Sequence, residues 1–221
     1  DLHTAYRRQR QMCIRDSTSG LAYTFSIKGD LQEIYLQEKI FPYYAIDTLS
    51  DNVKPEKIYK DICAFSKKVA TVPLAHQPGD AWTYSIGMDI LGCVIEKASN
   101  MSFGNFLKKN IFEPLQMEDT FFKVPIAKRS RMTNLYAHHN AFKAFDVDIP
   151  KELKGKKPKM YLIDSSRDSL FYKSITVEDG GSGLVSTASD YSNFAQMLLN
   201  KGVYEGKRIL SAASFLSLIH I

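Results

Sequence analysis

Apolar residues recur every three or four positions in several stretches of this chain, and each such stripe predicts a helix. Ile86, Ile90, Leu91, Val94, Ile95 and Ala98 fall on one face, so the segment from Gly87 to Ser99 is expected to be a buried core helix. Ser102 is placed to cap the next helix, in which Phe103, Phe106 and Leu107 face inward and which Pro114 ends. Ile58, Ile62, Phe65 and Val69 make another stripe, with a helix start at Lys54-Pro55-Glu56. Thr187-Ala188-Ser189-Asp190 reads as a capping box opening a helix that buries Tyr191, Phe194, Ala195, Leu198 and Leu199 and stops at Asn200-Lys201-Gly202. A looser pattern with Ile34, Tyr35 and Ile40 predicts a helix over Leu31 to Lys39, after Gly29-Asp30.

Extended and turn segments lie between these helices. Tyr23 and Phe25 alternate in the short stretch from Thr18 to Phe25, and Phe121 to Val124 reads as a short strand. Val72 to His76 runs extended into a strong turn signal at Pro78-Gly79. Glycines in Glu178 to Thr187 permit close backbone approach, which by itself implies no more than a tight loop before a helix.

Composition narrows the class. A chain of 221 residues, 44% hydrophobic, can bury one sizeable core, so one domain or most of one is expected. Net charge is only +5, and the lysines are dispersed or confined to the Lys151–Lys159 loop rather than interleaved with aromatics, which argues against nucleic acid as a partner. Contact of that loop with an anionic envelope polymer is the sharper alternative to a solvated turn. Cys13, Cys63 and Cys93 form no CxxC pair, so no metal or cofactor is expected, and Cys93 reads as a small buried hydrophobe. His138 and His139 are adjacent, which points their side chains apart on the surface or in a substrate loop. No stretch reaches the roughly 18 apolar residues that span a bilayer.

The ends are read separately. Residues 1–17 show no clear periodicity and are expected to be a disordered or non-native leader, since Arg10 to Ser17 looks like translated sequencing-adapter DNA. Residues 214–221 have a similar look. Residues 18–213 are then the expected domain.

Candidate chemistry centres on Tyr84, just past the Pro78-Gly79 turn at the entrance to a helix. A phenol held there can point into a cleft, where a neighbouring cation would lower its pKa and let it move protons. From spacing alone a half-buried packing role is the commoner outcome.

The run Pro78-Gly79-x-x-Trp82-x-Tyr84-Ser85 resembles the serine hydrolases of the class C β-lactamase and penicillin-binding-protein family. So do Asp89-Ile90-Leu91-Gly92-x-Val94-Ile95-Glu96, Met101-Ser102-Phe103, Ile111-Phe112-x-Pro114-Leu115-x-Met117-x-Asp119-Thr120 and the Gly180-Gly181-Ser182-Gly183-Leu184 loop. Several blocks agree in order and spacing. The resemblance implies an α+β fold of the α/β sandwich type, here mostly the helical domain with part of an antiparallel sheet. It implies Tyr84 as the catalytic proton shuttle, with Ser85, Ile86, Gly181 and Ser182 on the substrate side. It also implies that Phe41 to Pro55 forms a loop or short helices over the site, and that Thr18-Ser19-Gly20-Leu21 matches a segment found downstream of the nucleophile.

That nucleophile is a Ser-x-x-Lys serine in the family, and the motif is absent here; Ser26-Ile27-Lys28 has the wrong spacing. A third motif of the Lys-Thr-Gly type or a His-containing variant is expected after Ser211, where the match stops. The implied substrate is a small molecule or a peptidoglycan-like ester or amide. Ile86 stands where β-lactamases carry Asn, which favours an esterase or D-alanyl peptidase over a true β-lactamase. The rival is a non-catalytic binding or sensor protein on the same scaffold. Relatives are usually periplasmic, secreted or envelope-bound.

Overall fold

The computed structural model describes residues 17–40, 59–138, 160–172 and 177–219. The leader up to residue 16, the Phe41 to Pro55 loop with the helix start at Lys54-Pro55-Glu56, Ile58, His139 and the Lys151–Lys159 loop lie outside the described residues. The chain divides into two compact units, one of Asp1–Ala22, Leu74–Phe122 and Glu178–Ile221, the other of Tyr23–Pro73 and Lys123–Val177.

In the second unit, Gly29 at φ 69° opens α1 (Asp30–Gln37), and Lys39 at φ 54° turns the chain out of it. Tyr35 and Ile40 are buried. Among the described residues of the expected helix, Tyr59 and Lys60 are not helical, and α2 runs Ile62–Val69. Asp61 sets that boundary, since its carboxylate accepts the Ala64 N–H at 2.6 Å and satisfies a donor that the first turn leaves unpaired. The apolar stripe is otherwise as expected, with Ile62, Phe65 and Val69 buried. Tyr59 packs edge-on against Phe65 and donates to the Lys39 carbonyl at 2.6 Å. Tyr35 donates to the Pro73 carbonyl at 3.0 Å. Burial and the nearby Glu38 carboxylate push the Tyr59 phenol up to about 12.

Strands β1 (Leu135–His138) and β2 (Met160–Asp164) pair antiparallel in this unit, with a register shift between Leu135 and Tyr136. His138 is exposed at the end of β1. Asp164 holds the turn that follows, accepting from the Ser169 hydroxyl at 2.6 Å and the Leu170 N–H at 3.2 Å. Tyr23 and Phe25 do not alternate across a strand: Thr24–Ser26 is a 3₁₀ turn, on which the two rings stack 5.0 Å apart.

The first unit carries α3 (Gly87–Ser99) and α4 (Phe103–Leu107), the latter running on into a π-helical turn over Lys108–Phe112. Ser102 caps α4 as expected, accepting from the Asn105 N–H at 3.2 Å. Later come α5 (Ala188–Leu199), the hairpin of β3 (Val203–Tyr204) and β4 (Lys207–Arg208), and α6 (Ala212–Ile219), which covers most of the expected non-native tail. Phe112, Leu115, Met117 and Met197 form the core here, with Phe194, Leu198, Tyr204 and Ile209 packed around it. Glu205 and Gly206 both have positive φ, 44° and 77°, as a two-residue turn of the primed kind requires.

Several expectations need correction here. Tyr191, Ala195 and Leu199 of α5 are exposed rather than buried, since the side of that helix facing the core carries Phe194, Met197 and Leu198. Phe121 to Val124 is not a strand; Phe121 makes a single antiparallel bridge to Val185, with N–H to O distances of 3.0 and 2.9 Å. The capping box of α5 is half formed. Thr187 Oγ1 accepts from Asp190 N–H at 3.2 Å, but the Asp190 carboxylate turns away from its own helix. It accepts the Asp119 N–H at 2.7 Å and the Thr120 hydroxyl at 2.8 Å. Finally, α3 is not buried along its apolar stripe. Val94 is 54% exposed and Ala98 exposed, Ile90, Leu91 and Ile95 are half-buried, and the fully covered residues are Gly87, Asp89 and Gly92. Periodicity marks an apolar face, whereas close cover on this helix falls where small residues let backbone approach. Cys93 is half-buried and, like Cys63, disulfide-bonded rather than a simple buried hydrophobe.

Candidate active site

Tyr84 sits at the end of a loop that is fastened before and after its turn. Pro78 and Gly79 occupy the centre of a tight turn closed by the Asp80 N–H on the Gln77 carbonyl at 3.1 Å, and Gly79 has φ 96°, the value a type II turn demands of its third residue. The backbone of Ser17 to Gly20 runs alongside. Ala75, Gly79 and Thr83 donate to the carbonyls of Gly20, Thr18 and Ser17, each at 2.8 Å. His76 closes the loop from inside: its Nδ1–H donates to the Gln77 carbonyl and its Nε2 accepts from the Thr83 hydroxyl, both at 2.9 Å. Thr83 is therefore held by backbone and side chain immediately before Tyr84.

Beyond this anchor Tyr84 is 53% exposed. Ser85 Oγ accepts from the Gly87 N–H at 3.2 Å, satisfying one of the first donors of α3. Ile86 is the N-cap residue of that helix and is fully buried. Its side chain fixes the entry of α3 by packing inward. Tyr84 and Ser85 are the members of the triplet with surface to offer.

The glycine loop lies against the first turn of α3. The Gly180 N–H donates to Asp89 Oδ1 at 2.9 Å. A Cβ at Gly180 would collide with the Met88 carbonyl, so a side chain there would push the loop away. Gly181 and Ser182 both bind Asp179: the Gly181 N–H donates to Oδ1 and the Ser182 hydroxyl to Oδ2, each at 2.7 Å. The glycine of the next turn, Gly183, faces the Phe122 ring so closely that an added Cβ would stand 2.9 Å from it. Glu178 reaches the other way and accepts the Gly104 N–H of α4 at 2.6 Å. The structure thus brings Gly181 and Ser182 to the end of α3 that follows directly on Tyr84, Ser85 and Ile86.

Asp89 and Asp179, which hold that junction, were not among the candidate residues. Asp89 is completely buried and Asp179 is 2% exposed. Burial, together with a hydrogen bond and repulsion from the Asp179 carboxyl, drives Asp89 up to about 9, against the lowering effect of the Gly180 and Gly181 N–H groups. A signal was present in the sequence: an acid set between Met88 and Ile90, inside an apolar helix, needs a partner when buried. Among the described residues no cluster of three His, Cys, Asp or Glu side chains is arranged to hold a metal ion. Among them, too, no helix is long and apolar enough to cross a membrane.

This arrangement of helices with short antiparallel pairs is α+β and of the β-lactamase/transpeptidase-like type. The Beta-lactamase family profile matches residues 40–218, and the chain belongs to that family. It is 28% identical over 217 residues to an uncharacterized protein of Mycobacterium tuberculosis, an alignment that covers 96% of this chain and 45% of that protein. A lovastatin esterase of Penicillium rubens is 30% identical over 104 residues, 46% of this chain and 24% of the esterase. Among solved structures, EstCE1, a hydrolase with promiscuous acyltransferase activity, superposes with a TM-score of 0.61 at 18% identity, covering 91% of this chain and 48% of its own. The chain spans less than half the length of each of these proteins.

Proposed function

We propose that this chain belongs to a serine hydrolase that works through an acyl-enzyme on ester or amide substrates, with Tyr84 moving the proton. The observation that carries the reading is the junction at the head of α3, where a half-exposed tyrosine on a doubly anchored loop is followed by a helix start against which the glycine loop docks. Rigid placement is what a proton-shuttling phenol requires. In this reading a serine hydroxyl attacks the carbonyl and Tyr84, acting as general base, takes its proton. The proton then goes to the leaving group as the tetrahedral adduct collapses, and water later releases the acid. Ser85, Gly181 and Ser182 line the substrate side, while Ile86 acts through packing.

Esters and D-alanyl peptides suit the site better than β-lactams. Ile86 is apolar and buried, and offers no hydrogen bond to an antibiotic's amide. Similarity to a lovastatin esterase supports the same preference. A second reading, a binding or sensor protein on this scaffold, is separated from the first by whether a Ser-x-x-Lys lies upstream of Thr18.

The test combines the source locus with kinetics. A reading frame carrying Ser-x-x-Lys upstream of Thr18 should yield a protein that hydrolyses p-nitrophenyl esters, and Tyr84→Phe should lower its kcat/KM by about 10²- to 10⁴-fold. Residues 1–221 alone should show no turnover above buffer. Ester hydrolysis by those residues that survives Tyr84→Phe would remove Tyr84 from the mechanism, and a frame lacking the motif would leave the binding reading in its place.

A further inference from the structure

Two buried carboxyl groups meet at the junction just described, and their surroundings do not supply enough donors for two negative charges. Asp179 accepts from the Gly181 N–H and the Ser182 hydroxyl, and Asp89 Oδ1 accepts from the Gly180 N–H. Asp89 Oδ2 is buried and, among the described residues, has no donor. Two neighbouring carboxyl groups with almost no exposure resist ionising together, because burial and mutual repulsion both penalise the second charge. A proton on one of them turns the repulsion into a donated hydrogen bond and at the same time satisfies the orphan oxygen.

We propose that Asp89 and Asp179 share one proton at neutral pH, and that this proton latches the Asp179–Gly183 loop to the first turn of α3, next to Tyr84. The latch joins segments about ninety residues apart through one O–H···O contact and the Gly180 N–H bond. Asp179 is the charged neighbour that acts on Asp89, from the loop; on the same loop the Glu178 carboxylate is directed to Gly104 of α4. From α3 itself the adjoining residues Met88 and Ile90 bring no charge. Ionisation would restore two anions in one buried place, and the loop would separate from the helix.

The sign of the pH dependence follows. Asp89 holds its proton more tightly folded than unfolded, so its contribution to stability is complete below the ordinary carboxyl range and is lost as pH rises toward about 9. Most buried acids in ion pairs behave in the opposite way, losing stability on acidification.

Thermal melts of the protein between pH 6 and 9 test this. The wild-type Tm should fall by roughly 5–10 °C across that range. Asp89→Asn keeps the shape and donates an amide N–H to Asp179 without a titrating proton. It should flatten the slope and melt above wild type at pH 9, whereas Asp89→Ala should melt lower at every pH. A flat wild-type profile, or an Asp89→Asn variant with the wild-type slope, would overturn the proposal. Infrared spectroscopy of the wild type at pH 7 decides the matter even if no variant folds: a protonated-carboxyl C=O stretch is expected, and its absence would be decisive against a shared proton. A rise in wild-type Tm on adding calcium, abolished in Asp89→Asn, would overturn it too, by showing that a cation and not a proton bridges the pair.

Discussion

Asp89 and Asp190 hold the same place in their helices, the third position after the cap, and both decline the usual task of that place. An acid there commonly reaches back to the N–H of its own cap. Asp89 instead takes the Gly180 N–H, and Asp190 takes Asp119 and Thr120. Each helix start thereby becomes an attachment point for a distant segment. Asp190 is 5% exposed and accepts two hydrogen bonds from outside its helix, so Asp190→Ala would remove the acceptor of the Asp119 N–H and one of the two partners of the Thr120 hydroxyl, the other being Ser186 Oγ. The expected cost is about 2–4 kcal/mol, measured as a drop in the urea midpoint with unchanged slope. Asp190→Asn should recover part of this loss. The sequence shows an acid at this position and suggests a capping box; it cannot show which donor wins, because Asp119 and Thr120 are seventy residues away.

At the scale of elements, helices were legible and their cover was not. The stripe Ile62, Phe65, Val69 located α2, and Asp61, a good capping residue, was the unused sign of where it begins. Ser102 and Thr187 marked the starts of α4 and α5 correctly because a cap is a local interaction spanning three residues. In α3 the same periodicity led to an expectation of burial that Val94 contradicts. The glycine loop was recognisable by composition, but its docking on α3 depends on a backbone approach that no local pattern records. Gly180→Ala checks that approach. The added methyl meets the Met88 carbonyl, a backbone atom that cannot swing aside, so the substitution should cost about 1–3 kcal/mol in a thermal or urea melt. Gly206→Ala should be felt through its positive φ alone, since nothing crowds that position.

The whole molecule exposes several large apolar side chains in the unit that carries Tyr84. Trp82 is 67% exposed, and Leu74, Met88 and Val94 are each at least two-fifths exposed. Apolar surface of this kind binds environment-sensitive dyes. The protein should enhance 8-anilinonaphthalene-1-sulfonate fluorescence at room temperature, before any unfolding, and a well-behaved protein with no such signal would count against the exposed face. Cys63 and Cys93 make a further global check. Both are disulfide-bonded, so neither should react with iodoacetamide in denaturant unless a reductant is added first, as peptide mass mapping can establish. Family membership and fold class were within reach of the sequence because separate blocks, from Pro78 to Thr120 and from Gly180 to Thr187, keep their order and spacing. The Asp89–Asp179 pair was not, since it arises only when those blocks fold together.

The β3–β4 hairpin offers a practical handle on all of these measurements. Its tip, Glu205-Gly206, is exposed, and Gly206 has open space around it. Its sharp reversal is made by two residues, and Tyr204 and Ile209 on either side, not the tip, pack on the core. A short peptide spliced between Glu205 and Gly206 should therefore display an epitope, a fluorophore site or a surface-immobilisation tag without disturbing the residues around Tyr84.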